Sequence, residues 1–139
     1  MNKTLIESLA EKLSEDAMVK SNDKNFSSII LTVMIIGIII NVVRAVQECN
    51  KKQTRNLSEQ DCDKLNCDCL KRICRSDNWF ALMRKNILLK ARAHKIIKKK
   101  IGVENYGLYG NIIFQSMMDI SKGLTDEELH QLIKESKNV

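Results

Sequence analysis

Hydrophobic and polar residues follow a helical period along much of this chain. Between Thr4 and Val19 the apolar positions Ile6, Leu9, Ala10, Leu13 and Ala17 fall at the i, i+3, i+4 spacing of one helix face. Glu7, Glu11, Lys12, Glu15 and Asp16 occupy the opposite face. Thr4-x-x-Glu7 reads as a capping box, the Thr oxygen accepting from the third helical amide and Glu7 reaching back. An acidic polar face is unsuited to anionic lipid, so this helix reads as one that contacts protein.

The period then gives way to a block without charge. Residues 25–43, NFSSIILTVMIIGIIINVV, hold 13 strongly apolar side chains among 19. As a helix the block rises about 28 Å, close to the roughly 30 Å of a bilayer's hydrocarbon core. Its Leu, Ile, Val and Phe residues together favour insertion by roughly 4 to 7 kcal/mol before the polar residues are subtracted. Eleven of the 19 are β-branched, which favours strands in water. In lipid only a helix or a closed barrel satisfies the backbone. The first reading is a single transmembrane helix over 25–46, presenting Phe26, Ile29, Ile30, Val33, Ile36, Gly37, Ile40 and Val43. The main alternative uses the same residues in a central packing helix of a soluble assembly or a virion. Strands buried on both faces are a further alternative. A signal peptide fits poorly, because 24 residues of net negative charge precede the block.

Residues 47–78 are polar and lack a clear period, and read as an irregular connector. From Trp79 to Ile101 the helical stripe returns with Trp79, Leu82, Met83, Ile87, Ala93, Ile97 and Ile101. GVENYGLYG at 102–110, with three glycines, reads as a turn region. A helix follows from about Leu108 to Lys122. The last helix opens with the capping box Thr125-x-x-Glu128 and the staple pair Leu124 and Leu129. The expected fold is therefore all-α. It comprises an N-terminal amphipathic helix (1–24), a long hydrophobic helix (25–46), a cysteine-containing connector (47–78) and a basic three-helix C-terminal domain (79–139).

Charge sharpens this division. The net charge is +6, yet residues 79–102 alone contribute eight Lys/Arg and no acid. The outward side chains Arg84, Lys85, Arg92, Lys95, Lys98, Lys99 and Lys100 form a candidate basic surface. A merely solvated face, anionic lipid headgroups, nucleic acid and acidic protein all suit it. No helix-turn-helix or RNP motif points to sequence-specific reading. Around the apolar block, Arg44, Lys51, Lys52, Arg55 and Lys64 follow it, against Lys12, Lys20 and Lys24 before it. That bias places the C-terminal part in the cytoplasm if the block spans a membrane.

Four of the five cysteines, Cys62, Cys67, Cys69 and Cys74, lie within thirteen residues. The outer C-x4-C intervals suit zinc knuckles, but a single Asp between the inner pair leaves little chain for a tetrahedral site. Free thiols, disulfides and metal therefore stay open, in that order. No metal or cofactor is expected. His94 and His130 lie far from any cysteine in sequence, and no nucleophile–base pair, metal triad or phosphate loop is visible. A small-molecule substrate is not indicated, and the expected function is non-enzymatic.

Ile, Lys and Asn supply 17, 17 and 12 residues, and Pro is absent, which points to an AT-rich gene. The layout resembles that of small, mostly uncharacterised proteins encoded by tailed phages. The resemblance rests on the amphipathic N-terminal helix, the apolar FSSIILTVMIIGIIINVVRAVQECN, the WF-led basic helix, the YG turn and the final LTDEEL helix. It implies an AT-rich phage or viral gene and a non-enzymatic role such as a virion component; the apolar block adds the host membrane as a location. The partners would be a lipid bilayer or other virion proteins, with homo-oligomerisation open. No active-site residues carry over from it. The alternatives are a holin-like lysis protein and a soluble basic module that binds nucleic acid.

Overall fold

The computed structural model describes residues 3–21, 27–54 and 74–138. They form α1 (Leu5–Ser21), α2 (Ser28–Thr54), α3 (Ser76–Lys85), α4 (Ile87–Ile101), α5 (Val103–Gly123) and α6 (Asp126–Lys137), with no strand among the described residues. The all-α organisation, with one long apolar helix and a C-terminal helix group, is as the pattern of the sequence predicts.

The apolar faces of all six helices meet in one core. From α1 it takes Ile6, Ala10, Leu13 and Ala17; from α2, Leu31, Ile35, Ile38, Ile39, Val42, Val43 and Val46. Leu89, Ala93, Ile97 and Ile101 enter from α4, Ile113 and Met117 from α5, and Leu129 and Leu132 from α6. α2 packs against α1, α3, α4 and α6, while α5 packs on α1, α3 and α4. Two polar residues of the apolar block, Thr32 and Asn41, are accommodated inside α2 itself. Thr32 donates to the Ser28 carbonyl at 2.7 Å and Asn41 to the Gly37 carbonyl at 2.7 Å. Back-bonding of this kind removes most of the cost of placing them on a packed helix.

Three boundaries differ from the sequence expectation. α2 does not stop at residue 46 but continues to Thr54, because Ala45, Val46 and Asn50 are also buried and Asn50 accepts from Asn78 Nδ2 at 3.0 Å. The expected basic helix 79–101 is two helices that meet at Asn86. This residue ends α3 by donating its N–H to the Leu82 carbonyl, and its side chain caps α4 by accepting from the Leu89 N–H. The expected turn 102–110 shrinks to Gly102 alone. With φ at 89° this residue adopts a conformation suited to glycine. Its N–H bonds the Lys98 carbonyl and its carbonyl accepts from the Tyr106 N–H, so one helix closes as the next opens. Gly107 and Gly110 lie inside α5, where burial of Tyr109, Gly110, Ile113 and Phe114 outweighs their low helix propensity.

Two further helix starts, those of α1 and α6, are capped by threonine. The Thr125–Glu128 capping box is complete. Thr4 accepts from the Glu7 N–H, and Glu135 on α6 accepts from the Leu5 and Ile6 N–H groups at 3.1 and 2.9 Å. A carboxylate from the last helix thus covers the amide end of the first. Nearby, the Arg44 guanidinium donates to the Ser136 carbonyl at the end of α6. Phe26 and Cys62, Cys67 and Cys69 lie outside the described residues, whereas Cys74 and Cys49 are half-buried free thiols.

Ile38 is fully buried and Val33 is 64% exposed, although both belong to the same uncharged block. In urea titrations Ile38→Ala is expected to cost about 2 to 5 kcal/mol and Val33→Ala no more than about 0.5 kcal/mol.

Candidate functional site at the apolar and basic end

The chain's own connections gather four helix termini at one end of the bundle. Ser14, in the second half of α1, donates to the Ser28 carbonyl where α2 begins. α4 runs antiparallel to α2: Asn86 Nδ2 reaches Cys49 Sγ at 3.2 Å, and the Lys100 side chain lies against Gly37. Gly102 then turns the chain directly into α5. The end of α1, the start of α2, the end of α4 and the start of α5 therefore share this end.

Most of the large exposed apolar side chains among the described residues are found here. Ile29, Ile30 and Val33 stand on the first two turns of α2, Val19 near the end of α1, and Val103 and Leu108 on the start of α5. Exposed Ile87 and Leu88 are at the start of α4, by the other end; Ile87, expected in the inward stripe, faces out because the break at Asn86 resets the helix face and Leu89 takes the buried position. The outward stripe of α2 changes character along its length. Ile30 and Val33 give way to half-buried Gly37 and Asn41, and then to exposed Arg44 and Glu48. Of the helix residues singled out from sequence, Ile29, Ile30 and Val33 face outward, Ile36 and Gly37 are half-buried, and Ile40 and Val43 are enclosed.

The basic residues do not act as one surface. Arg84, Lys85, Arg92, Lys95, Lys98, Lys99 and Lys100 are all exposed, but their surroundings divide them. The Arg84 guanidinium lies 5.8 Å from the centre of the Phe80 ring, and Arg92 pairs with Glu48 at 2.8 Å. Lys98 lies 5.8 Å from the Tyr106 ring centre. Among the described residues no carboxylate pairs with Lys95, Lys98, Lys99 or Lys100. Lys98, Lys99 and Lys100 occupy the last turn of α4, where the helix dipole favours positive charge. Lys100 is the direct link between charge and apolar surface. Its Cε and Nζ lie 3.3 Å from where a Cβ on Gly37 would sit, one turn along α2 from Val33. A residue without a side chain gives the lysine stem a seat on the helix, and its ammonium stays at the surface.

Beneath these lysines lies a polar–aromatic cluster that spacing alone does not reveal. The Tyr106 hydroxyl is 3.0 Å from His94 Nδ1, and the His94 ring stacks on Phe114 with centroids 4.3 Å apart. Gly110 makes room for the Tyr106 ring, since a Cβ there would fall 2.5 Å from a ring carbon. Burial pushes the His94 imidazole below its usual range, which favours the neutral ring. The cluster locks α4 to α5 below the lysine turn. The sequence signal for it is only the i, i+4 spacing of Tyr106 and Gly110, which carries no partner information.

Elsewhere, a groove between α1 and α5 has a volume of about 580 Å³, with Leu9, Ile120 and Leu124 on its walls and Glu15, Asp119 and Glu128 around it. Asp16 at its edge accepts from Ser116 Oγ at 2.5 Å and pairs with Lys20 at 3.0 Å. The Ser116 hydrogen bond and Lys20 hold the Asp16 carboxyl below the usual carboxylate range. No group of three or more His, Cys, Asp or Glu with metal-binding geometry occurs among the described residues.

Because His94 titrates lower in the fold than in the unfolded chain, protonation favours unfolding. Stability is expected to be level above about pH 6.5, near the unfolded-state value, and to fall as pH drops below it. Urea titrations across this range check it, and His94→Phe is expected to flatten the slope. The shifted carboxylates Asp16, Asp126 and Glu135 all lie below their ordinary values, so their contributions are lost only at more acidic pH. Gly110→Ala is expected to lower stability by roughly 1 to 3 kcal/mol through displacement of the Tyr106 ring, read from the same titrations.

Compared with known proteins, the chain matches no family model, no curated protein and no solved structure.

Proposed function

We propose that this chain is a non-enzymatic structural protein of a phage or viral particle or of a host membrane. In this reading it works as a folded bundle, with α2 as its central packing helix. The observation that carries the reading is the division of α2 itself. Ser28–Lys51 is long and apolar enough to cross a membrane, but half of its most apolar stretch is buried within the fold. The remaining outward stripe turns polar at Asn41, Arg44 and Glu48.

A membrane-crossing α2 would have to leave its partners. The apolar faces of α1, α4 and α6 would lose their cover, at about 25 cal/mol for each Å² returned to water. Keeping α4 beside it would carry Arg92, Lys95, Lys98, Lys99 and Lys100 into the hydrocarbon, where such charges cost about 2.5 to 3.5 kcal/mol each near the centre. Both routes favour contact with a membrane from one side. The same reasoning counts against a holin-like role, which requires the span to open into the bilayer. The tailed-phage layout of the sequence supports a particle protein. The lysines on the last turn of α4, which have no carboxylate partner among the described residues, supply the one observation in favour of a nucleic-acid-binding module. That alternative requires steeply salt-dependent binding which weakens when Lys98, Lys99 and Lys100 become Gln.

Fractionation of the full chain tests the proposal. It is expected to sediment with membranes or particles at low salt and to be released by alkaline carbonate as a folded helical protein. Retention in the carbonate pellet overturns the packing-helix assignment, and a fully soluble monomer at low salt overturns membrane or particle association.

A further inference from the structure

We infer that the bundle end formed by the start of α2 and the last turn of α4 docks on an anionic lipid surface, inserting Ile29, Ile30 and Val33 while Lys98, Lys99 and Lys100 meet the headgroups. The inference rests on the membrane-associated reading above and names the surface and the lipid class. It starts from exposure: Ile29, Ile30 and Val33 are 75, 53 and 64% exposed on consecutive turns of one helix, although the next turns of that helix are enclosed. Soluble surfaces carry isolated apolar residues freely, but several large aliphatics on one helix end call for a cover. Val103 and Leu108, 71 and 58% exposed at the start of α5, extend the apolar character of the same end.

Charge chooses the occupant. The lysine turn next to these aliphatics has no carboxylate partner among the described residues. Lys100 lies along α2 at Gly37, one turn from Val33, so ammonium and aliphatic groups meet on one helix face. An anionic bilayer presents this pairing in depth: phosphate charge at the surface and hydrocarbon a few ångströms below. Long lysine stems can bridge the two levels, with the aliphatics in the acyl boundary and the ammonium groups at the phosphates. Nucleic acid would satisfy the lysines but leave the isoleucines in water. A second copy would satisfy the isoleucines but bring two lysine turns together. Gly102 fixes the arrangement, because its positive φ sets the lysine turn directly against the start of α5.

Vesicle sedimentation with the full chain tests the docking surface. Binding to vesicles of phosphatidylcholine with 30% phosphatidylglycerol is expected at low salt, with little binding to phosphatidylcholine alone. The double variant Ile30→Ser, Val33→Ser alters exposed positions and is expected to keep the helical circular dichroism and melting temperature, yet bind about tenfold more weakly. Lys98→Gln, Lys99→Gln, Lys100→Gln is expected to weaken binding roughly a hundredfold. Equal binding to neutral vesicles, or undiminished binding by both variants, overturns the inference. A concentration-dependent dimer abolished by the serine pair assigns the end to a second copy. Nucleic-acid binding that depends on the lysines but not on the serine pair assigns it to phosphate alone. Either result overturns lipid docking. Carbonate resistance together with loss of vesicle binding in the serine pair overturns the packing-helix reading while leaving this end as the lipid contact.

Discussion

One constraint governs this molecule: a helix built on an uncharged apolar block must be covered. α2 lines one side of the core from Leu31 to Asn50, and α1, α4 and α6 are each amphipathic in the sense needed to close over it. The closures that finish the fold depend on that packing. Glu135 reaches the first amides of α1, and Arg44 reaches the last turn of α6, only because both helices lie against α2. Buried Asn50 finds Asn78 for the same reason, which removes the desolvation penalty of an isolated amide.

Cover is uneven along the helix, and the unevenness is informative. α4 runs antiparallel to α2, and the Lys100 stem reaches its surface at Gly37. The two turns of α2 before that point keep Ile29, Ile30 and Val33 outside. Farther along, the outward positions are Asn41, Arg44 and Glu48, which bond the Gly37 carbonyl, the Ser136 carbonyl and Arg92. An apolar span thus behaves as two objects: an enclosed core helix and a short apolar tip. Pro-free composition and a single positive-φ glycine give the C-terminal helices continuous backbones with one sharp corner. At that corner the lysine turn, the start of α5 and the His94–Tyr106–Phe114 cluster lie close together.

Local signals in the sequence were reliable where the physics is local. The Thr4 cap, the capping box at Thr125, the stripe Ile6–Ala17 and the all-α class follow from side-chain spacing and cap chemistry within a few residues. Glycine content misled at 102–110, because propensity alone cannot weigh the burial of Tyr109, Ile113 and Phe114. Asn86 was invisible as a break inside a continuous basic stripe, since a residue that ends one helix and caps the next looks like any polar position between them.

What the chain determined by itself was the inventory: an all-helical pattern, an uncharged block of 19 residues within one long helix, and a block of eight cations without an acid. Composition could not say whether the uncharged helix meets lipid or protein, because both environments reward the same side chains. Tertiary packing separated Ile38 and Val43 from Ile30 and Val33, residues indistinguishable by hydropathy. It also set Lys100 beside Gly37, some sixty residues earlier in the chain. Burial is a property of neighbours, and neighbours are chosen by the fold.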